Sequence, residues 1–369
     1  MHSELSNIPL LCTACAVFKA VLETVESAPD SDVFDVDVYQ IKMAHQFHLW
    51  RQTNPKDIGF CTDAITRFAP NVQEMRKQAV IWNAIQKEKW KPTSLGNLAN
   101  GTVSRMGALI VAGMQLDAQS FYDLMCADIC LTHMNCTLMA VQTALAMIIK
   151  QMALSNGTMV QRARNAIDYA LEWLSKGKIV GNELIMQWIE KAACKIKPLH
   201  QLSNALHAVG YVYHSALRAI HLWFNVDVVS WEQAMTMLIS EGGDVDTTAM
   251  IVGYGFGVLY GSKISNSKWW SSIRGHRSPV GSLNRGYQPR CWLTTSNVLK
   301  LCMKMPLSVT GSTHEPKEEW LKAAQNQVHQ WQQNNNETAS RLDVDDQKES
   351  PSDTEVIKQP PRKKPKLGD

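Results

Sequence analysis

Negative charge is absent from a long part of this chain. No Asp or Glu occurs between Asp246 and Glu315, although Lys263, Lys268 and further basic residues lie in that interval. The whole chain is nearly balanced, since its 369 residues include 37 Lys and Arg against 34 Asp and Glu, for a formal charge of +3. A net charge this small identifies no partner, so any argument about an anionic ligand depends on where the charges lie.

Long apolar runs are also missing. No stretch approaches the roughly 18 uncharged apolar residues of a membrane-spanning helix. The first residues, MHSELSNIPLL, have no basic group ahead of the apolar ones, unlike a secretory signal. The nine Cys residues are an odd number, and several occur at helical spacing within apolar stretches. We therefore expect an intracellular protein with reduced thiols and no membrane partner.

Alternating apolar and polar residues, the pattern of a half-buried strand, are not found over any useful length. From about Leu10 to Tyr260 the hydrophobic residues recur with the helical period, and residues 120–152 have the pattern of one long helix. The sequence predicts an all-α globule over residues 1–265. A basic, Trp-rich extension with one helix should follow over 266–332, and a disordered tail over 333–369.

The most informative motif is Glu241-Gly-Gly-Asp-Val-Asp-Thr, at the start of a predicted helix. Asp244, Asp246 and the hydroxyl group of Thr247 offer several hard oxygen ligands close together, and Mg²⁺ prefers such ligands. The two glycines permit a tight turn ahead of them. An alternative is that Asp244 or Asp246 only caps the helix by accepting hydrogen bonds from free backbone amides. The residues alone leave both interpretations open.

Five segments of the chain, in this order, resemble the ADP-ribosylglycohydrolase family, which includes the dinitrogenase-reductase-activating glycohydrolase and the ADP-ribosylarginine hydrolases. They are Asp57-Ile-Gly-Phe-Cys-Thr, Gly96-Asn-Leu-Ala-Asn-Gly-Thr-Val-Ser-Arg, Leu131-Thr-His, Gly210-Tyr-Val and Gly242-Gly-Asp-Val-Asp-Thr. The resemblance implies a multi-helix orthogonal fold with a binuclear Mg²⁺ site at the mouth of an ADP-ribose cleft. It also implies hydrolysis of the bond between ADP-ribose and an acceptor, such as an ADP-ribosylated protein.

The resemblance assigns roles to residues of this chain. Asp244, Asp246 and Thr247 would bind Mg²⁺, and Asp57 would act in substrate handling and acid/base catalysis. Six residues would contact ADP-ribose: Gly96, Asn97, Asn100, Gly101, Thr102 and His133. In the loop from Gly96 to Gly101, backbone amides would face the pyrophosphate. Some of these residues also have ordinary structural interpretations. Asn100-Gly101 could form a turn before a helix, Asp57 could cap a helix, and His133 could be a histidine whose ring nitrogens are hydrogen-bonded within the fold.

One element of the family pattern is replaced. Placing the helix of residues 10–25 on its family counterpart puts Ser6-Asn-Ile-Pro9 where the family has Thr-Asp-Asp-Thr, the segment that supplies the other half of the metal ligands. We expect the family's opening helix to be missing as well, through truncation or a start upstream of Met1. Losing two carboxylates should sharply reduce affinity for at least one metal ion. The chain is then either a Mg²⁺-dependent nuclear hydrolase or a catalytically dead ADP-ribose-binding scaffold.

The basic segment from Lys263 to Lys304 interleaves its charges with Trp269, Trp270 and Trp292. Positive charge together with aromatic stacking suits nucleic acid or another phosphate ligand. The same Trp residues also fit a segment that wraps irregularly around the helical core. We favour this second interpretation.

The C-terminal residues contain a compact basic run, Pro360-Pro-Arg-Lys-Lys-Pro-Lys-Leu367. Arg362, Lys363, Lys364 and Lys366, kept extended by the prolines, resemble a monopartite nuclear localisation signal, which importin binds as an extended peptide. Phosphorylation at the acidic Ser352-Asp-Thr-Glu site upstream would tune import. We expect the protein in the nucleus with importin as a partner; a solvated run of charges is the alternative.

Replacing Lys363, Lys364 and Lys366 with Ala should move a fluorescent fusion out of the nucleus, because importin recognises these side-chain charges. At 41.4 kDa the chain is near the size at which passive passage through nuclear pores becomes slow, so active import should be visible. The nuclear-to-cytoplasmic fluorescence ratio measures the effect, and a triple Lys→Arg variant is the charge-preserving control. A ratio that the Ala variant leaves unchanged would make the basic segment from 263 to 304 the next candidate.

Overall fold

The described part of the chain is built almost entirely from helices, which confirms the all-α prediction. The computed structural model describes residues 13–27, 33–52, 60–67, 71–89, 97–177, 179, 181–267 and 311–312. Its α-helices are α1 (Thr13–Ser27), α2 (Val36–Gln52), α3 (Phe60–Thr66), α4 (Val72–Lys89), α5 (Gly107–Ala112), α6 (Ala118–Ile129), α7 (Cys136–Leu154), α8 (Met159–Lys176), α9 (Asn182–Ala192), α10 (Val212–Phe224), α11 (Trp231–Glu241) and α12 (Val245–Tyr260).

Short elements complete the described structure. The 3₁₀ turns are Val103–Arg105, Leu199–Gln201 and Gly261–Asn266. Two-residue strands β1 (Val33–Phe34) and β2 (Gly311–Ser312) pair in parallel. All of these residues belong to one compact unit that spans residues 1–320. Residues 268–304 of the basic segment, the helix predicted beyond Glu315 and the C-terminal tail lie outside the described residues.

The run predicted as one helix over residues 120–152 is in fact two helices, α6 and α7. Between them, residues 130–133 are buried but not helical. Asn135 then starts α7, and its side chain accepts a hydrogen bond from the amide of Leu138 at 3.0 Å. The apolar pattern runs through the break because the connecting residues belong to the core as well, so hydrophobic periodicity does not show where one helix ends. The Asn cap is the local signal for the boundary.

Helix α7 is the centre of the core and packs against α6, α8, α9, α10 and α12. Among the described residues it is the one helix long and apolar enough to cross a membrane, yet 78% of that window is buried inside the protein. Even Lys150 is buried, and its Nζ donates to the carbonyl oxygens of Gly113 and Leu116. These bonds offset the cost of removing an ammonium group from water. The burial is that of a core helix.

Glycine allows α12 to lie very close to α10. A Cβ atom at Gly255 would lie 2.3 Å from Nε1 of Trp223, whose indole N–H donates to the carbonyl oxygen of Val252 at 3.0 Å. On the same helix, the Tyr254 hydroxyl group donates to the carbonyl oxygen of Ser104 at 2.8 Å. These contacts fix α12 against α10 and the 3₁₀ turn that starts at residue 103.

Gly255→Ala should destabilise the fold by about 1–3 kcal/mol, because the added methyl group displaces a buried indole ring. Gly257→Ala, two residues along the same helix, is the matched control, since a Cβ atom there meets nothing within 4 Å. It should stabilise the protein by up to about 1 kcal/mol, the difference in helix propensity. Urea unfolding midpoints measure both effects. Equal midpoints for the two variants would mean that α10 and α12 can move apart to accept the methyl group without loss of stability.

Candidate functional site

The site is built around the start of α12. Asp244 occupies the N-cap position, but its side chain makes no capping hydrogen bond. Its Oδ2 instead accepts a hydrogen bond of 2.8 Å from Nδ2 of Asn100. Asp246 is exposed, and its Oδ1 accepts from the amide of the next residue, Thr247, at 2.9 Å. The capping interpretation is therefore wrong for Asp244, whose carboxyl group is held toward the 97–102 loop.

The 97–102 loop is fixed by the segment that precedes α10. The amide of Asn100 donates to the carbonyl oxygen of Gly210 at 2.8 Å, and the amide of Val212 donates to the carbonyl oxygen of Leu98 at 2.9 Å. The two segments form a short antiparallel bridge between Ala99 and Tyr211. Thus residues 97–102 and the segment that starts at Gly210, more than 100 residues apart in sequence, come together in the structure.

Gly210 occupies the space between the two key side chains. A Cβ atom there would lie 3.7 Å from both Oδ1 of Asn100 and Oδ2 of Asp244. Its φ of +84° lies in the left-handed region that side chains other than glycine rarely adopt. The backbone conformation, more than lack of space, therefore requires glycine here.

A second glycine turn presents the carboxylates. Gly242 and Gly243 have φ angles of +68° and +87°. A Cβ atom at Gly243 would lie only 2.8 Å from the carbonyl oxygen of Ala205, so backbone packing forbids a side chain. The buried Arg218 of α10 donates from Nη1 to the carbonyl oxygen of Gly242 at 2.9 Å. Arg218 thereby ties the turn to the core.

A hydroxyl pair extends the hydrogen-bond network below Asn100. Nδ2 of Asn100 also donates to Oγ of Ser215 at 3.1 Å, and Oγ of Ser215 lies 3.0 Å from Oγ1 of Thr248. The sequence reasoning missed Ser215, Arg218 and Thr248. Ser215 and Arg218 are three residues apart on α10, so they lie on one face of that helix. Nothing in that spacing alone marks the face as part of a site.

The two aspartates interact with each other. Their carboxyl groups lie within hydrogen-bonding distance. Burial, and next the contact with Asp246, raise the pKa of Asp244, whereas the hydrogen bond with Asp244 lowers the pKa of Asp246. Two carboxylates this close repel each other when both are ionised, so a cation beside them would be favourable.

The other predicted loop residues are placed only in part. Thr102 is fully buried, and Oγ1 of Thr62 lies 3.7 Å from where a Cβ atom of Gly101 would be. Thr62 is the last residue of the Asp57-Ile-Gly-Phe-Cys-Thr motif, so the end of that motif lies against the loop. Asp57 and Gly96 themselves lie outside the described residues, as do residues 6–9 and the basic residues of the tail, Arg362, Lys363, Lys364 and Lys366.

Two loop amides are not available to a pyrophosphate. The amide of Asn100 is bonded to the carbonyl oxygen of Gly210, and that of Ala99 donates to Oδ1 of Asn97 at 3.4 Å. Asn97 is buried, and its own amide donates to Oδ1 of Asn83 at 2.8 Å. Much of the loop's hydrogen-bonding capacity is therefore used to hold its own conformation.

His133 belongs to a buried polar network. Its Nδ1 lies 2.9 Å from Oγ1 of Thr132, which in turn accepts from Arg105, the partner of Asp128 in a fully buried ion pair. The side chain of His133 is 1% exposed, and within the described structure its Nε2 has no partner. Burial first, and then the charge of Arg105, lower the pKa of His133 to about 3. Its contact with ADP-ribose stays a prediction.

Comparison with known protein families identifies the class of protein. The sequence profile of the ADP-ribosylglycohydrolase family matches residues 12–297. This is more than half of the chain, and the protein belongs to the ADP-ribosylglycohydrolase family. A search of curated proteins found no match. The matched range starts after residues 6–9, so it does not test the placement of Ser6-Asn-Ile-Pro9 on a metal-binding segment.

The buried, neutral His133 should make the fold acid-sensitive. In the unfolded chain, His133 binds a proton below its pKa of about 6.5. In the folded chain, the same imidazole stays neutral until the pH falls to about 3. Stability should therefore fall as the pH drops from 6.5 toward 3, by at most about 1.4 kcal/mol per pH unit. His133→Gln should flatten this dependence in urea unfolding between pH 7 and 4.5, and the exposed His45→Gln should not. Identical slopes for the parent and His133→Gln would contradict the assignment.

Proposed function

We propose that the protein recognises ADP-ribosyl groups on proteins, with one Mg²⁺ held by Asp244, Asp246 and Thr247. The observation that carries the proposal is the hydrogen bond from Asn100 to Asp244. It joins the loop that resembles an ADP-ribose-binding loop to the carboxylates that resemble metal ligands. Family membership supports ADP-ribosyl compounds as the ligand class.

The donor set fits one divalent cation. It consists of two carboxylates that lie close together and a hydroxyl group, all of them oxygen ligands. No group of three or more His, Cys, Asp or Glu residues suited to a metal is present among the described residues. A bound Mg²⁺ would supply positive charge and Lewis acidity. Asn100 would orient Asp244, and Arg218 would hold the turn that presents both carboxylates.

Hydrolysis should be slow in this chain. A two-metal site needs carboxylates on both sides of the ion pair, and Ser6-Asn-Ile-Pro9 offers neutral oxygen atoms but no charge. The favoured function is therefore binding of ADP-ribosyl groups, in the manner of a pseudoenzyme.

A complete Mg²⁺-dependent ADP-ribosylglycohydrolase is the second candidate. The position of Thr62 beside the loop favours it, because Thr62 is the last residue of the motif that contains the proposed acid/base carboxylate, Asp57. In that case other carboxylates, such as Asp57 or Glu4, would replace the missing metal ligands.

We also propose a nuclear location through importin, which rests on the sequence of the tail alone.

Calorimetric titration with Mg²⁺ in the presence of ADP-ribose should give at most one ion per chain. Asp246→Asn should reduce the affinity for Mg²⁺ at least tenfold, because half of the anionic charge is lost. Asp168→Asn, an exposed residue on α8, is the matched control and should leave the affinity unchanged. A stoichiometry of two with tight affinity would instead support the complete hydrolase.

Turnover separates the two candidates directly. The purified protein should bind free ADP-ribose but release ADP-ribose from modified arginine or serine slowly or not at all. Chromatographic detection of released ADP-ribose over time measures this. Hydrolysis at the rate of a complete family member, abolished by Asp246→Ala, would establish the hydrolase and reject the pseudoenzyme.

A further inference from the structure

An apolar groove of ≈ 600 Å³ begins beside Asp246 and lies between α11 and α12. One wall is a stripe at four-residue spacing on α11, formed by Trp231, Met235 and Ile239. The other wall is formed by Gly243, Val245, Asp246 and Ala249, at the turn and the start of α12. The groove is therefore continuous with the site proposed to hold the ADP-ribosyl group.

Several large apolar side chains are exposed on the elements around the groove. Ile239 is 54% exposed and Met250 is 42% exposed, and both lie on the helices that form the groove. Leu206 and Val209 are exposed just before Gly210, and Leu206 lies near the Gly242 turn. Exposed apolar side chains grouped near one groove favour an interaction site.

The segment of chain that forms the groove carries acidic residues only, although Arg164, His200 and Arg218 of other elements lie close to it. Residues 219–262 contain five acidic residues and no Lys or Arg: Asp227, Glu232, Glu241, Asp244 and Asp246. Asp227 is paired with Arg164 and Glu241 with His200. Within the described ranges, neither Glu232, next to Trp231, nor Asp246, at the other end of the stripe, forms an ion pair. Asp246 is nevertheless bonded to Asp244 and to the amide of Thr247, so Glu232 is the carboxylate beside the groove that is more open to a cation.

We infer that this groove binds the polypeptide of the ADP-ribosylated protein, through apolar side chains in the groove and a Lys or Arg residue that faces Glu232. This rests on the proposed function, which places the ADP-ribosyl group beside Asp246. If the polypeptide that carries the ADP-ribosyl group extends from Asp246 toward α11, its next residues lie in the groove. A bound Mg²⁺ would offset the charge of Asp246, and Glu232 would then attract the basic residue at the far end.

The size of the groove suits a peptide segment better than a second copy of the chain. From Trp231 to Ile239 the stripe extends over nine residues, or eight helical rises of about 12 Å in all. An extended peptide covers this length in about four residues. A stable dimer buries about 1,200 Å² or more in total, so it would need contacts well beyond a groove of this length. Acidic peptides and free nucleic acid would be repelled by Glu232, which forms no ion pair within the described ranges.

The test compares four ligands on the intact protein by fluorescence anisotropy: a short Leu-, Lys- and Arg-containing peptide carrying one ADP-ribosyl group, the same peptide unmodified, a Glu-containing version of it, and fluorescent ADP-ribose. Ile239→Lys places a repelling charge on an exposed position of the groove and should fold normally. It should reduce affinity for the modified basic peptide at least tenfold and leave that for free ADP-ribose unchanged. Ile81→Lys, at a 44% exposed position of α4, is the matched control.

Each result has a distinct meaning. If free ADP-ribose does not bind, the proposed function fails, and the groove is still tested by the unmodified basic peptide, whose binding should be lost in Ile239→Lys. Peptide affinity equal in the parent and Ile239→Lys overturns the inference, as does equal affinity for the Glu-containing peptide. A dimer in size-exclusion chromatography that Ile239→Lys dissociates, with peptide affinity unchanged, would show that a second copy covers the groove instead.

Discussion

The hydrogen bond from Asn100 to Asp244 is the contact on which the site depends. Asn100 has its amide fixed by Gly210 and its side chain shared between Asp244 and Ser215. Three parts of the chain that are far apart in sequence therefore meet at one side chain. A hydrogen bond to a charged group contributes about 1.5–3 kcal/mol, but its main effect here is geometric. It turns a carboxyl group at a helix start away from capping and toward the loop.

Holding two carboxyl groups together costs free energy, and the structure shows what offsets that cost. The start of α12 supplies the positive end of a helix dipole to Asp244 and Asp246. The guanidinium group of Arg218 is buried nearby and donates to the turn that precedes them. Burial still raises the pKa of Asp244, whereas its contact lowers the pKa of Asp246. The environment thus favours a negative charge on Asp246 more than on Asp244.

The sequence reveals the parts of the site that lie in short motifs and misses those that depend on tertiary packing. Asp244, Asp246, Asn100 and Gly210 were identifiable because each stands in a motif with glycine or adjacent polar groups. Ser215 and Arg218 were not, since they lie within an ordinary amphipathic helix and reach the site only through the packing of α10 on α12. Likewise the helical character of the chain follows from periodicity, but the break between α6 and α7 does not, because its residues are as buried as the helices beside it.

Charge balance is the argument that would connect residues 6–9 with the proposed function. ADP-ribose carries a negatively charged pyrophosphate, so a site that contains carboxylates would hold it best when cations neutralise those carboxylates. Under the proposed function, the pair Asp244 and Asp246 would need one Mg²⁺ ion, whereas a site with four carboxylates would need two. If Ser6-Asn-Ile-Pro9 stands where the family has two aspartates, one metal ion and its ligands would be lost together, and the local charge would stay near zero. Binding needs that balance, while catalysis by a metal pair needs both ions. We therefore expect this replacement to separate the two properties, because it would remove the second metal ion without making the site repel its ligand.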